Sequence, residues 1–404
     1  MKFMYALRLM VDNLELCGLE KAGSHESGSF DIISGDQVIF SVTEGFMGSI
    51  RMVLRYGMWT LMKLEKFVEN LLNSFSTIYD KLDNGLGYET VEKLLDEMGP
   101  MSKSGQSSHE MNLLTKVSIA DKLRGLSMSD EFINELAMIA MKVNYNQFPE
   151  NIHAFVGAVS LAGIQDGLWR VRGGNYRIPE CLLKKSSSTL LPSRVDTIKP
   201  NKEGRYDVSY DNIVEAFDIV VVATPLTEDK TNLKLVGPQG ILHFPGNYQR
   251  TLAYLVHGSL NMSSFEVHDD SGTENFFMID RNDPISSLSR LTPVDFKPDV
   301  EVETPEVYKV FSRVELIDAD FAKYFAQVHS KMLVDWLAYP QYKSAQDMES
   351  FVLQNNLYYV NAIEWSASAM EMSALAAKNV ANLISTKLNG NVKEKLGSEE
   401  KIEL

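Results

Sequence analysis

The sequence is short of the residues that build metal centres and disulfide scaffolds. Only two of its 404 residues are cysteine, Cys17 and Cys181, and no CxxC pair occurs. The seven histidines lack metal-ligand spacing, so no structural metal site is expected. One disulfide between the two cysteines is compatible with the sequence but not established by it. No run of about 18 apolar residues occurs, which argues against a membrane-spanning helix. Positive charge is also in deficit, with 39 Lys and Arg against 54 Asp and Glu and a net charge of -15. Such a polyanion repels phosphate backbones, so nucleic-acid binding is not expected. The common catalytic signatures are missing as well: there is no P-loop, no GxSxG elbow and no HExxH. A GxGxxG loop after an opening strand, the mark of a dinucleotide fold, does not occur either.

What is present is the composition of a globular enzyme, 45% hydrophobic and 23% charged, in a chain long enough for two interleaved domains. Near the start, Phe3, Ala6, Leu7, Met10, Val11 and Leu14 fall at helical spacing. Arg8 interrupts the apolar run and Asp12 and Glu15 follow, so the segment reads as an amphipathic helix rather than a signal peptide. Residues 28–44 alternate like a β-hairpin with Gly35-Asp36 in the turn. A broad apolar stripe from Ile50 to Leu82 predicts a long helix, a polar loop spans 99–110, and helical pattern returns over 113–143. From residue 155 the pattern changes to strands and glycines, beginning with FVGAVSLAGIQDGLWRVRGGN, and a short helix is expected around 178–185. A hairpin is expected around the turn Asn201-Lys202-Glu203-Gly204. FDIVVVATP (217–225) is β-branched without polar alternation, which predicts a strand buried on both faces. LYYVNAIE (357–364) reads as a strand, followed by a helix from about 368 to 388.

Three constellations bear on chemistry. Gly173-Gly174-Asn175 lets backbone pass close to a flat ligand and offers a helix cap, or is simply a tight turn between strand and helix. The end of FDIVVVATP places small residues at the carboxyl edge of a sheet, where ligands bind in open α/β folds, or is a core strand leading into a loop. In NAIEWSASAMEMSALAAKNVANLI, small residues Ala369, Ser373, Ala376, Ala377 and Ala381 allow close approach to a sheet or a cofactor. Glu371 stands near the helix start, where a carboxylate is favoured. Plain helix–sheet packing explains that pattern equally well.

Taken together, AFVGAVSLAG (154–163), GLWRVRGGN (167–175), DIVVVATPL (218–226), WLAYPQY (336–342) and LYYVNAIEWSASAMEMSALAAKN (357–379) resemble the prenylcysteine oxidase family in order and spacing. The resemblance runs from about Leu54 nearly to the C-terminus. It implies an α/β fold like that of FAD-dependent amine oxidases, with a discontinuous Rossmann-type FAD domain and a helix-rich substrate domain. The domains implied are a mostly helical lobe over 1–150, an FAD-binding region over 151–232, substrate-domain strands and helices over 233–345, a C-terminal FAD-binding strand and helix over 346–390, and a charged tail over 391–404. By the same resemblance, Val195 meets the adenine, Ala223, Thr224 and Pro225 line the cofactor, Trp169, Gly173, Gly174 and Asn175 lie near the flavin ring, and Glu364, Met370 and Glu371 flank it.

The implied reaction oxidises the carbon beside the thioether sulfur of farnesyl- or geranylgeranyl-cysteine. The products are cysteine, a prenyl aldehyde and hydrogen peroxide, and oxygen is the second substrate. The cofactor carries that chemistry, so no catalytic side chain is singled out. The protein's task is an apolar channel, for which Trp59, Met62, Met138 and Met141 are candidates among its 19 methionines and its aromatics. Another flavin amine oxidase or desaturase, or an inactive relative, remains an alternative reading. Family members open with a signal sequence, a strand and GxGxxG. The first βαβ unit is therefore expected to be missing, and the chain as given is expected to hold FAD poorly. Position 172 is Arg where relatives often carry an acid, and position 148 is Phe where a small residue is usual. The family's location implies lysosome or endomembrane lumen, to which the sequon Asn261-Met262-Ser263 and the C-terminal Lys401-Ile402-Glu403-Leu404 are suited.

Overall fold

The computed structural model describes residues 7–23, 29–42, 46–99, 110–163, 169–265, 275–292 and 306–399. Its helices are α1 (Arg8–Leu16), α2 (Phe46–Tyr56), α3 (Met58–Asp83), α4 (Val91–Asp96), α5 (Glu110–Leu113), α6 (Ile119–Gly125), α7 (Asp130–Phe132), α8 (Met138–Tyr145), α9 (Ala154–Ala162), α10 (Arg177–Lys185), α11 (Asp318–Tyr324) and α12 (Met370–Glu399). Helices α2 to α9 form a lobe around Val68, Phe75, Leu94, Phe132, Met141 and Phe155. Gly57, at φ +81°, turns the corner between α2 and α3, a conformation that favours glycine. Behind that corner Glu135 accepts from Arg55 Nε (2.7 Å), Arg55 Nη2 (2.6 Å) and the Tyr56 hydroxyl (2.7 Å). Glu135 lies in a π-helical turn, Ile133–Ala137, between α7 and α8.

The largest sheet has the order β15 (Phe325–Pro340), β11 (Tyr248–Leu260), β14 (Val307–Ser312), β13 (Ile285–Arg290), β12 (Asn275–Met278), β2 (Phe30–Ser34), β3 (Gln37–Val42). The hairpin expected over 28–44 is present as β2 and β3, and it joins this sheet through a parallel β2–β12 pair. One face packs on α11 through Leu252, Tyr254, Val310, Phe321 and Tyr324. The helical lobe is tied to the sheet by Lys142 of α8. Lys142 is 1% exposed, and its ammonium donates to the carbonyls of Met278 (2.5 Å) and Asp280 (3.2 Å). Burial pulls that amine down to about 8.

A five-stranded sheet runs β10 (Gly240–Ile241), β9 (Lys234–Gly237), β5 (Val195–Pro200), β6 (Tyr206–Tyr210), β7 (Ile213–Phe217), with β5 and β6 forming the hairpin expected around Asn201–Gly204. Beside it, β16 (Val352–Gln354), β17 (Leu357–Tyr359) and β8 (Val220–Val222) form a small sheet in which β17 and β8 are parallel. Finally β1 (Lys21–Gly23) pairs with β4 (Trp169–Val171). Cys17, at the end of α1, is disulfide-bonded to Cys181 of α10. Met10, Leu14, Val171 and Ile178 pack together around that cross-link.

Five expectations are corrected. The stripe over 50–82 is two helices, α2 and α3, separated at Gly57, and the strand expected over 357–364 stops at Tyr359, where a 3-10 turn begins. Segment 155–163 is helix α9, not strand. His153 caps it, and Gly157 packs so closely on Ile119 that an added Cβ would sit 2.5 Å away. β8 is not buried on both faces. It stands at the edge of its sheet among the described residues, and Val221 is 43% exposed. The helical stretch 113–143 is broken into α6, α7, the π-helical turn and α8. The loop over 100–109, Lys401–Leu404 and the opening six residues lie outside the described residues.

Candidate functional site

The start of α12 is where distant parts of the chain converge. A cavity of about 360 Å³ opens there, lined by Tyr145, Trp169, Asn175, Tyr339, Ser368 and Met370, among others. Trp169 comes from β4, held by pairing to β1, and its buried indole N–H has no acceptor among the described residues. An unpaired buried donor is costly in a folded protein, and a ligand acceptor would relieve it. After β4 the chain turns sharply through Gly173 (φ +80°) and Gly174 (φ +109°). Asn175 closes the turn by accepting the Val171 amide at 2.9 Å. A Cβ on Gly174 would stand 2.8 Å from the Tyr176 ring, so the doublet is required by the chain's own geometry.

Glu371, one residue into α12, is 3% exposed. Its carboxylate accepts from the amides of Leu9 (2.8 Å) and Met10 (2.9 Å) in the first turn of α1, and from the Tyr79 hydroxyl (2.6 Å). A carboxylate at a helix N-terminus satisfies amides that have no partner within the helix. Burial raises this carboxyl above its ordinary value, partly offset by those hydrogen bonds. The group therefore docks α1 against the cavity wall, with Arg8 of α1 lying 5.6 Å over the Tyr79 ring.

Beneath the cavity is an aromatic floor. Tyr145 meets Tyr339 and Tyr342 edge-on at 5.2 and 5.4 Å, and His153 meets Tyr342 at 5.4 Å. The Tyr342 hydroxyl donates to the Glu364 carbonyl (3.0 Å) and accepts from the Ser368 amide (2.9 Å), fixing the bend that leads into α12. The Tyr248 hydroxyl donates to the Glu364 carboxylate at 2.5 Å, and burial first, then that carboxylate, pushes the phenol well above its usual range. Lys230 lies 5.1 Å over the Tyr248 ring.

The structure thus brings Trp169, Asn175, Met370 and Glu371 to one cavity, with Gly173 and Gly174 in the adjoining turn. Ala223, Thr224 and Pro225 follow β8, whose pairing with β17 sets them next to the 3-10 turn Val360–Trp365 that contains Glu364. Val195 begins β5 in a different sheet, paired with Tyr210. The four channel candidates do not converge. Met138 and Met141 are buried in the helical lobe, whereas Trp59 and Met62 are 75% and 51% exposed on α3. Four residues divided between a core and a surface line no common channel. Tyr145, Tyr339, Tyr342 and His153 were not singled out as site residues, and in the sequence each reads as an ordinary core aromatic.

The fold is that of the FAD-dependent amine oxidases. A putrescine oxidase bound to putrescine aligns with a TM-score of 0.57 at 12% identity, over 94% of this chain and 86% of its own. A fatty acid isomerase from P. acnes gives 0.57 at 11%, over 94% and 84%. Sequence is more specific: residues 42–395 match the prenylcysteine lyase family. Prenylcysteine oxidase 1 of Homo sapiens is 33% identical, over 95% of this chain and 77% of its own length. Prenylcysteine oxidase 1-like of Mus musculus is 30% identical, over 93% and 77%. The chain belongs to the prenylcysteine lyase family.

Proposed function

We propose that the chain serves an FAD-dependent thioether oxidase, cleaving farnesyl- or geranylgeranyl-cysteine to cysteine, a prenyl aldehyde and hydrogen peroxide. The observation that carries this reading is the convergence of Trp169, Asn175 and the 368–371 bend on one cavity. The residues there fit a flavin: an indole N–H in need of an acceptor, a turn free of Cβ atoms, and Met370 exposed at the start of α12. Trp169, Asn175 and Met370 would hold its ring system, with Ala223–Pro225 beside the bend. A bound flavin supplies hydride acceptance and reoxidation by oxygen. The chain's own work is to position an apolar substrate and keep water from it. Tyr145 and Tyr339 give the cavity aromatic walls suited to a thioether and an unsaturated chain.

The Cys17–Cys181 disulfide supports residence in an oxidising lumen, lysosomal or endomembrane. Asn261, in the turn that ends β11, is the proposed glycosylation site. The test is direct. Protein equilibrated with FAD is separated from free flavin, its 450 nm absorbance is recorded, and it is supplied with farnesylcysteine. Farnesal, free cysteine and peroxide in equal amounts are expected. Flavin-loaded protein that oxidises amines or polyenes and leaves farnesylcysteine untouched overturns the substrate. Protein that takes up no flavin overturns the reading for this chain.

A further inference from the structure

The first two helices of the lobe carry an apolar face on the wrong side. In α2 the buried residues are Gly48 and Tyr56, while Phe46, Met47 and Leu54 point to solvent. Past the Gly57 corner, Met58, Trp59 and Met62 of α3 continue the same exposure, although α3 buries Thr60, Val68 and Leu71 on its other side. These six large apolar side chains are between 51% and 80% exposed and lie within 17 residues of one another. Single exposed apolar residues are normal on a protein surface, but six large ones on two successive helices mark a surface that something covers.

The charge of the segment says what kind of surface. Residues 46–64 carry Arg51, Arg55 and Lys63 and no acidic residue, in a chain of net charge -15. Arg55 is engaged with Glu135 behind the corner. Arg51 is exposed beside the apolar cluster, and no ion pair is recorded for it among the described residues. Lys63, which donates to the Ser127 carbonyl at 3.2 Å, and Lys66 follow on α3 at the wall of a groove of about 770 Å³ between α3 and α5–α6, with the exposed Glu65 between them in sequence. Long apolar side chains including a tryptophan, with cations outnumbering the one acid, Glu65, form the pattern of a helix that lies in a membrane interface. Its apolar face enters the acyl boundary and its cations meet anionic headgroups. Among the described residues no helix is long and apolar enough to cross a bilayer.

We infer that the α2–α3 corner docks the protein on an anionic lipid bilayer, with Phe46, Met47, Leu54, Met58, Trp59 and Met62 inserted and Arg51 and Lys63 on headgroups. The inference goes beyond the reaction proposed above and does not depend on it, because binding is measured without flavin or substrate.

The test is flotation of the full chain with vesicles of phosphatidylcholine containing about 30% phosphatidylserine, and with phosphatidylcholine alone. Wild-type protein floats with the anionic vesicles, less with neutral ones, and less as salt is raised. Leu54→Glu and Trp59→Glu each weaken binding about tenfold or more. Both side chains are at least 75% exposed, so the variants keep the wild-type melting temperature. Brominated lipid quenches part of the tryptophan fluorescence, and that part is lost in Trp59→Phe. Three outcomes overturn the inference. The first is wild type that floats with neither vesicle. The second is a double variant Leu54→Glu/Trp59→Glu that binds as well as wild type. The third is a self-associated form in sedimentation that the double variant abolishes while vesicles bind neither, which assigns the face to a second copy of the chain.

Discussion

His153 is joined to Trp365 by a hydrogen bond whose direction fixes the state of the imidazole. The Trp365 carbonyl only accepts, so Nε2, at 3.1 Å, carries the proton. The Val156 amide only donates, so Nδ1, at 3.3 Å, is bare. The ring is fully buried and burial depresses it from 6.5 to about 4. One neutral tautomer caps α9 and clasps the bend that leads into α12.

A pH dependence follows from that clasp. The folded state disfavours the protonated ring, so the unfolded chain binds more protons between about pH 4 and 6.5. The contribution is complete above pH 6.5 and is lost as pH falls towards 4, by roughly 3 kcal/mol in full. Urea unfolding of wild type and His153→Gln at pH 7.5 and pH 5 checks this. The variant is less stable at pH 7.5, and the gap narrows at pH 5. A gap that stays constant would show that the histidine does not titrate across folding.

Gly174 is predicted to fail on substitution even without a ligand. Gly174→Ala places a side chain at φ +109° and against Tyr176, at a cost of about 1–3 kcal/mol. Tyr176 is 67% exposed, so Gly174→Ala/Tyr176→Ala removes the collision but not the backbone strain. Thermal melting is expected to show partial recovery in the double variant. A single variant that melts with wild type refutes the argument.

The disulfide closes a sequence separation of 164 residues. In the chain-entropy account such a loop stabilises by about 5 kcal/mol. Cys181→Ser is expected to lower the melting temperature, reductant is expected to lower that of wild type to match, and reductant should leave the variant unchanged.

The two hairpins were readable because alternation and turn residues act over a few positions. Helix α9 was not, because it is buried nearly all round. With apolar residues on every face, AFVGAVSLA shows no 3.6-residue period and resembles a buried strand. β8 misled in the opposite way, since Val220–Val222 has the composition of a central strand while sitting at an edge. At the site, Trp169, Asn175, Met370 and Glu371 could be found because the family motifs place them. The aromatic floor was legible only in part: Tyr339 and Tyr342 fall in the motif WLAYPQY, but nothing in the sequence says that they meet Tyr145, nearly 200 residues away, edge to edge. Trp59 and Met62 were read as channel residues, yet they stand exposed on α3, because periodicity does not tell an inward stripe from an outward one.

Glu371 lines the cavity and also holds the first turn of α1. Any molecule that settles in the cavity shares a wall with that carboxylate, so occupancy and the docking of α1 are coupled equilibria. The amides of Leu9 and Met10 become reporters. Their hydrogen exchange slows as the cavity fills, and the same coupling means that loosening α1 weakens whatever binds there.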